Sequence, residues 1–287
     1  MISLCNRIYN IRQDLGIPHR IQEPAWFEVP GLLAGDTSEE TIDMALKVIS
    51  SCPRHTFVAI GDNSAEIIGK LYGGTSGEKH CRVLGNGEHL PNLWIGLKVT
   101  SQKEAKAEIP GFVRAITTRN LLYVEPDGEI DLMAALDGVG TETRSQNQIF
   151  PNWLSGKLEW VIVSGYKKPV HPQWVKSLKD QCIFAGVPFW FDSWGDYAPR
   201  HFLSLQKTIG ETVDEGVLKW GTLDVNGDWY PYATPFLVHR RAGFAQPREC
   251  TMYLVGKDRS GCLLEGEEWK EMPEEKSMKS NACRRRS

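Results

Sequence analysis

The cysteines of this chain are few and scattered. The seven of them stand at positions 5, 52, 81, 182, 250, 262 and 283, and no two lie within four residues of each other. Because zinc sites and iron–sulfur clusters are built from closely spaced cysteines, this spacing excludes a compact thiolate motif. An odd number of isolated cysteines also argues against a disulfide framework. We expect most of them to be small buried hydrophobic residues.

Long apolar runs are also missing. No run approaches the length of a membrane span, and the opening stretch "MISLCNRIYNIRQDLG" lacks the apolar core of a signal peptide. These two absences predict a cytoplasmic protein with no membrane contact.

The chain has no excess of positive charge. Its 33 Lys and Arg residues stand against 36 Asp and Glu residues, which gives a net charge of −3. A nucleic-acid partner is therefore not favoured, since it requires a broad positive field. The basic cluster Arg284–Arg286 lies in a polar C-terminal stretch that we interpret as a flexible, solvated tail.

Buried strands alternate with helices over most of the chain. Five continuously apolar strands are visible between residues 56 and 191, and "AWFEVPGLL" is a candidate sixth. Such strands, separated by helices, are typical of a parallel sheet covered on its faces. The pattern predicts an α/β fold, either a doubly wound sheet or a full or partial (βα) barrel of the TIM-like kind.

The pattern changes after the last of these strands. We predict a barrel-like domain over residues 1–199, a small cap packed on it over 200–273, and a flexible tail over 274–287. An Asn226-Gly227 turn between short aromatic runs predicts a β-hairpin in the cap. Within the barrel, a helix is predicted from Pro172 to Ala185, and another to be broken near Pro110.

Three predicted strands end on a carboxylate. Asp62, Glu125 and Asp192 follow the strands "FVAIG", "LLYV" and "FWF". Because the carboxyl ends of parallel strands meet at one rim, we predict these acids as candidate catalytic residues. Clustered carboxylates either hold a divalent cation or divide acid, base and nucleophile roles. No residue is assigned as a metal ligand. Asp62 has an alternative interpretation as the cap of the next helix.

Other polar residues fall at the same strand ends. Lys98 lies near the end of "LWIGLKV", and Ser164-Gly165 follow "WVIV". We predict these three as ligand- or cofactor-binding residues. His55 and His171 each precede a predicted element, and we interpret both as structural.

Several spaced blocks resemble a known family. They are "LPNLWIGLKVTSQKEAKAEIP", "YVEPDGEIDL", "LEWVIVSG", "HPQWVKSLKDQCIFAGVPFWFDSWGDY" and "GCLLEGEEWKEMP". In this order they are similar to the phage gene-product thirty-seven / sixty-eight family, which is regarded as radical-S-adenosylmethionine-like. The resemblance implies a (βα) barrel, an iron–sulfur cluster bound by a cysteine trio near the N-terminus, and S-adenosylmethionine as cofactor. A phage-encoded member would act in the host cytoplasm.

The departures from that family concern the rim. Only Cys5 stands where the family has its N-terminal cysteine motif, and Asp192 stands where the family has Lys. Glu125-Pro126 is the rim feature that survives. The core residues match the family, whereas most residues at the rim differ from it. This pattern predicts a divergent member of the family that lacks the cysteine motif and a conventional cluster.

Four hypotheses on function follow. The first is a divergent radical-SAM-like barrel protein that binds a small molecule, nucleotide or metal at an acidic rim. The second is an active radical enzyme with a non-standard cluster. The third is a carboxylate-dependent transferase or hydrolase that acts on a nucleoside or modified DNA base. The fourth is a non-catalytic interaction protein.

Overall fold

The described part of the chain forms a large sheet covered by helices, a smaller four-stranded sheet and a two-stranded hairpin. The computed structural model describes residues 7–8, 16–72, 90–116, 119–136, 158–199, 219–232 and 249–273. The strands of the larger sheet are Arg7–Ile8 (β1), Trp26–Glu28 (β2), Thr56–Gly61 (β3), Leu93–Val99 (β4), Asn120–Val124 (β5), Trp160–Ser164 (β6) and Phe189–Ser193 (β7). The helices are Ile17–Arg20 (α1), Glu39–Ser51 (α2), Ser64–Tyr72 (α3), Gln102–Ala115 (α4), Leu132–Leu136 (α5), Pro172–Ala185 (α6) and Lys257–Ser260 (α7).

The seven strands of the larger sheet are all parallel and lie in chain order from β1 to β7. The sheet curls into a half-barrel. Sequential order with a helix after most strands is what a (βα) barrel requires. The predicted α/β class and partial barrel are confirmed at this level.

The ends of helices α2 and α6 are set by residues that can be recognised in the sequence. The Ser38 side chain caps α2 by accepting a hydrogen bond from the backbone N–H of Thr41. Helix α6 has Pro172 in its first turn and ends at Gly186, whose φ of 65° is the left-handed conformation that favours glycine. The predicted bounds of α6, from Pro172 to Ala185, are confirmed.

The predicted break near Pro110 is wrong. Helix α4 runs without interruption through this residue. A proline removes one backbone hydrogen bond from a helix interior, but buried side chains on either side hold this helix on the sheet. They include Ile109, Phe112 and Val113.

The half-barrel has two different faces. The outer face and the helices form the main hydrophobic core. On the inner face a smaller cluster consists of Val58, Trp94, Leu121, Tyr123, Trp160, Ile162 and Trp190. The Trp160 ring lies at its centre, with ring centroids 5.6 Å from Trp94, 6.0 Å from Trp190 and 6.1 Å from Trp26. Aromatic packing therefore fills the inner face below the strand ends.

A second sheet is antiparallel and follows the half-barrel in the chain. Its strands are Tyr197–Pro199 (β8), Trp220–Asp224 (β9), Trp229–Pro231 (β10) and Glu249–Leu254 (β11), in the order β10-β9-β11-β8. The predicted hairpin is confirmed: β9 pairs with β10, and Gly227 has a φ of 96° in the turn. Strand β8 belongs to this sheet although it precedes residue 200. The domain division itself stays a prediction.

The last described residues return to the half-barrel. After a small hairpin of Leu263–Leu264 (β12) and Glu267–Glu268 (β13), residues 269–271 lie along the free edge of β7. The backbone N–H of Phe191 donates to the carbonyl of Trp269 at 2.7 Å, and Trp190 and Lys270 form an antiparallel β-bridge. The exposed edge of the sheet is thus covered by a short antiparallel segment. The predicted tail, residues 274–287, lies outside the described residues.

Within the part of the chain that the structure describes, no helix is both long and apolar enough to cross a membrane.

Candidate functional site

Alternation along the strands brings polar residues to the carboxyl end of the inner face. Lys98 lies four residues after the inner-facing Trp94 on β4, and Ser164 lies four after Trp160 on β6. Successive side chains of a strand point to opposite faces, so residues four apart share one face. We call this polar end of the half-barrel the mouth, and define it by Lys98, Tyr123, Glu125, Ser164, Asp192 and Lys257.

An ion pair joins two neighbouring strands at the mouth. The Nζ of Lys98 lies 2.9 Å from the Oε2 of Glu125, with side chains 30% and 14% exposed. Burial lowers the pKa of Lys98, but the hydrogen bond and charge of Glu125, together with the charge of Asp62, raise it above its ordinary value. Lys98 is therefore fully charged at neutral pH.

Asp192 is the most enclosed acid of the mouth. Its side chain is 0% exposed, and its Oδ2 lies 3.6 Å from the Nζ of Lys257. The same oxygen accepts a hydrogen bond from the Ser164 hydroxyl at 3.2 Å. A buried carboxylate needs such partners, because an unpaired charge in the interior is very costly.

Lys257 was not predicted from the sequence. It opens α7, a helix of four residues in the stretch that follows the second sheet. No motif marks this lysine, and its place at the mouth depends on the path of the chain between β11 and β12. The signal that could have pointed to it is the buried Asp192, which requires a cation from elsewhere in the fold.

Tyr123 lies beside this network. Burial raises the pKa of the Tyr123 hydroxyl well above its ordinary value, and the charges of Glu125, Asp192 and Glu28 act in the same direction, whereas the Ser164 hydroxyl opposes them. The hydroxyl therefore stays protonated at neutral pH and is a hydrogen-bond donor rather than a base.

Asp62 is placed differently from the other two predicted acids. It is exposed at the end of β3, and its charge contributes to raising the pKa of Lys98. The capping role considered for it belongs to the next residue, because Asn63 Oδ1 accepts a hydrogen bond from the backbone N–H of Glu66 at 2.9 Å. Ser64 is held by Glu108 through two hydrogen bonds of 2.7 Å.

Gly165 marks a close approach of two chain segments. A Cβ atom at this position would lie 2.0 Å from the carbonyl oxygen of Trp194 and 2.8 Å from the nitrogen of Gly195. Its backbone N–H donates to the carbonyl of Ser193 at 2.7 Å. Only glycine fits here. The structure gives Gly165 a packing role, and its role in cofactor binding stays a prediction.

Both histidines singled out in the sequence have structural partners. His171 caps α6, since its Nδ1 accepts a hydrogen bond from the backbone N–H of Gln173. His55 accepts from the backbone N–H of Ala25 through Nδ1, and its Nε2 lies 2.9 Å from the carbonyl of Pro18.

The described cysteines do not gather into a ligand group. Burial raises the pKa of Cys250 to about 12 and that of Cys182 further still, so both stay protonated at neutral pH. Across the described ranges, no group of three or more His, Cys, Asp or Glu side chains could hold a metal ion. Cys5, Cys81 and Cys283 lie outside the described residues.

Comparison with known proteins identifies a family. A model of the family DUF5131, described as a protein of unknown function, matches residues 10–273. No curated protein matches the chain. No solved structure matches it either. Because the family model covers most of the sequence and reaches from before β2 to the end of the edge segment on β7, the chain belongs to the DUF5131 family.

Proposed function

We propose that this chain is a barrel protein that binds a polar small molecule or nucleotide at the mouth of its half-barrel. One observation carries the proposal: Glu125, Asp192, Lys98 and Ser164, which come from four different strands or strand ends, converge with Lys257 at the carboxyl end of a parallel sheet. Ligands of parallel α/β folds bind at this end of the strands.

The charges of the mouth favour a ligand with both hydrogen-bond donors and acceptors. Each buried or half-buried acid is accompanied by a lysine, Glu125 by Lys98 and Asp192 by Lys257. The lysine side chains are more exposed than their acidic partners, at 30% against 14% and 39% against 0%. A ligand that reaches the mouth therefore meets ammonium donors first, with carboxylates behind them. Hydroxyl, phosphate and heterocyclic groups match this arrangement.

The unequal environments of the two acids favour a second candidate, a carboxylate-dependent transferase or hydrolase acting on a nucleoside or modified base. Asp192 is enclosed and bonded to a hydroxyl, whereas Glu125 is partly exposed and bonded to Lys98. Two carboxyl groups in different environments can divide the acid and base roles. If this candidate holds, Glu125→Gln and Asp192→Asn abolish turnover without a matching loss of melting temperature.

From the resemblance to the radical-S-adenosylmethionine-like phage family, the proposal takes only the barrel fold. The described thiols do not supply a cluster, so no step is assigned to iron, sulfide or S-adenosylmethionine. The discriminating measurement is the iron and acid-labile sulfide content of protein reconstituted anaerobically. We expect neither above background. A stoichiometric cluster, together with cleavage of S-adenosylmethionine to 5′-deoxyadenosine, would favour the active radical enzyme instead.

A thermal-shift screen tests the ligand class. Wild-type protein is heated with single members of a panel of nucleosides, nucleotides, sugar phosphates and amino acids in the presence of a chelator. Binding to the folded state raises the melting temperature. At a ligand concentration one hundred times Kd, it adds about 2.7 kcal/mol to the free energy of unfolding. We expect at least one polar class to do so. A panel without any effect would favour the non-catalytic interaction protein.

A further inference from the structure

A groove lies on the outer side of the half-barrel, and none of its lining residues belongs to the mouth. It has a volume of about 810 Å³ and runs between α5 and α6. Gln181 of α6 fixes the two elements beside each other, because its Oε1 accepts from the backbone N–H of Leu132 and its Nε2 donates to the carbonyl of Ile130. The groove is therefore a built feature of the helical layer.

The α6 wall of the groove forms a continuous stripe. The wall includes Gln173, Ser177, Asp180 and Phe184, which follow each other at spacings of four, three and four residues. Residues at this spacing share one face of a helix. From first to last they cover about 16 Å of helix axis at about 1.5 Å per residue. The stripe is long enough to accompany about three turns of a second helix.

The groove combines exposed apolar side chains with acidic ones. Met133 on α5 is 48% exposed and Phe184 on α6 is 54% exposed. Large apolar side chains are usually covered, and exposed ones grouped along a groove indicate an interaction surface.

The lining of the groove has an excess of negative charge. Glu129, Asp131 and Asp180 stand against one basic residue, Lys176, which pairs with Glu265 at 2.8 Å. Asp180 itself lies 3.8 Å from the Nζ of Lys179. A partner with positive charge complements this surface.

We propose that this groove binds a basic amphipathic helix of a partner protein. Apolar side chains on one face of that helix would cover Met133 and Phe184, and its Lys or Arg residues would meet the acidic rim. This is the helix-in-groove mode, in which anchors repeat every three or four residues. The inference is independent of the ligand site at the mouth.

The test is fluorescence anisotropy with a labelled model peptide made of Leu and Lys at helical amphipathic spacing. Full-length wild-type protein is expected to bind it, with an affinity that falls as salt is added. Asp180→Lys and Phe184→Ser are each expected to weaken binding by about tenfold or more. Asp43→Lys and Met44→Ser on α2 are the matched controls, since both positions are exposed, and they are expected to bind as wild type.

Three results would overturn the inference. The first is equally tight binding of a peptide that has the same composition but scrambled apolar spacing, because it would show that an amphipathic helical face is not what the groove recognises. Equal binding by Asp180→Lys and Phe184→Ser would remove the groove. Tighter binding after Arg284–Arg286 are replaced by Ser in the full chain would show that the chain's own basic residues compete for the surface, and would exclude a partner as its natural occupant.

Discussion

Lys98 on β4 places its Nζ 2.9 Å from the Oε2 of Glu125, which follows the neighbouring strand β5. The pair links adjacent strands at the mouth, and both side chains are largely removed from water. Partly buried charges of this kind depend on each other, because each removes the cost of burying the other. The stability of each buried charge in this pair therefore depends on the presence of the other.

The first prediction concerns this pair. Lys98→Met leaves the Glu125 carboxylate without its ammonium, and we expect the free energy of unfolding to fall by about 1–3 kcal/mol. Lys98→Met combined with Glu125→Gln should recover part of the loss, which a double-mutant cycle in urea measures. Lys176→Met is the control, since Lys176 is 43% exposed, and it should cost clearly less than Lys98→Met. Equal losses at both lysines would contradict the interdependence.

The second prediction concerns Gly165. Gly165→Ala would place a Cβ atom 2.0 Å from the carbonyl oxygen of Trp194, so the backbone after β6 or β7 must move. We expect a loss of more than about 4 kcal/mol or a failure to fold, measured by circular dichroism and urea unfolding. Gly69→Ala in α3 meets no atom within 4 Å and is expected to stabilise by about 0.5–1 kcal/mol. A stable, native-like Gly165→Ala protein would refute the packing role.

The third prediction concerns the aromatic centre of the inner face. Trp160 is 0% exposed and contacts three other tryptophans, and its Nε1 donates to the carbonyl of Glu271 at 2.9 Å. Trp160→Ala is expected to cost about 3–5 kcal/mol. Trp26 is only half-buried at the edge of the cluster, so Trp26→Ala should lower the free energy of unfolding by less. Chemical unfolding of both variants compares the two, and a larger loss at Trp26 would place the centre of the cluster elsewhere.

The fourth prediction is a pH dependence. Hydrogen bonds from Lys176 and Lys179 hold the pKa of Glu265 below its ordinary value of 4.5. A carboxyl group whose pKa is lowered in the folded state stabilises the fold above its unfolded pKa and loses that contribution as pH falls through its folded pKa. Wild type should therefore melt above Glu265→Gln near neutral pH, and the difference should shrink as the pH falls below 4.5 and vanish only below the lowered pKa of the folded state. Glu267→Gln, at an exposed position of the same segment, controls for the loss of a surface charge. A difference that persists in acid would contradict this origin.

Local chemistry made much of the half-barrel predictable. Helix α6 could be bounded at both ends because Pro172 favours a first turn and Gly186 a left-handed end. The strands were recognisable as continuous apolar runs. Parallel strands bring their carboxyl ends to one edge, which is why Glu125 and Asp192 could be placed at a common mouth before any distance was known.

Contacts between distant parts of the chain were not predictable in the same way. Lys257 reaches Asp192 only because the segment after β11 returns to the barrel. The sequence pattern indicated an acidic rim, whereas the structure pairs its acids with Lys98 and Lys257, since buried charges must be compensated. Helix α4 continues through Pro110 for a related reason, because burial on both sides of the proline outweighs the missing hydrogen bond.

The most direct test of the account is the dissociation constant of the best ligand from the thermal-shift screen, measured by titration calorimetry on wild type, Glu125→Gln and Asp192→Asn. Ligand binding at the mouth predicts a loss of at least about tenfold, or about 1.4 kcal/mol, in each variant, measured at a temperature at which circular dichroism shows the variant to be folded. Asp43→Asn and Glu40→Gln, exposed acids on α2, should bind as wild type. Binding that is unchanged in Glu125→Gln and Asp192→Asn would contradict the assignment of the mouth as the ligand site.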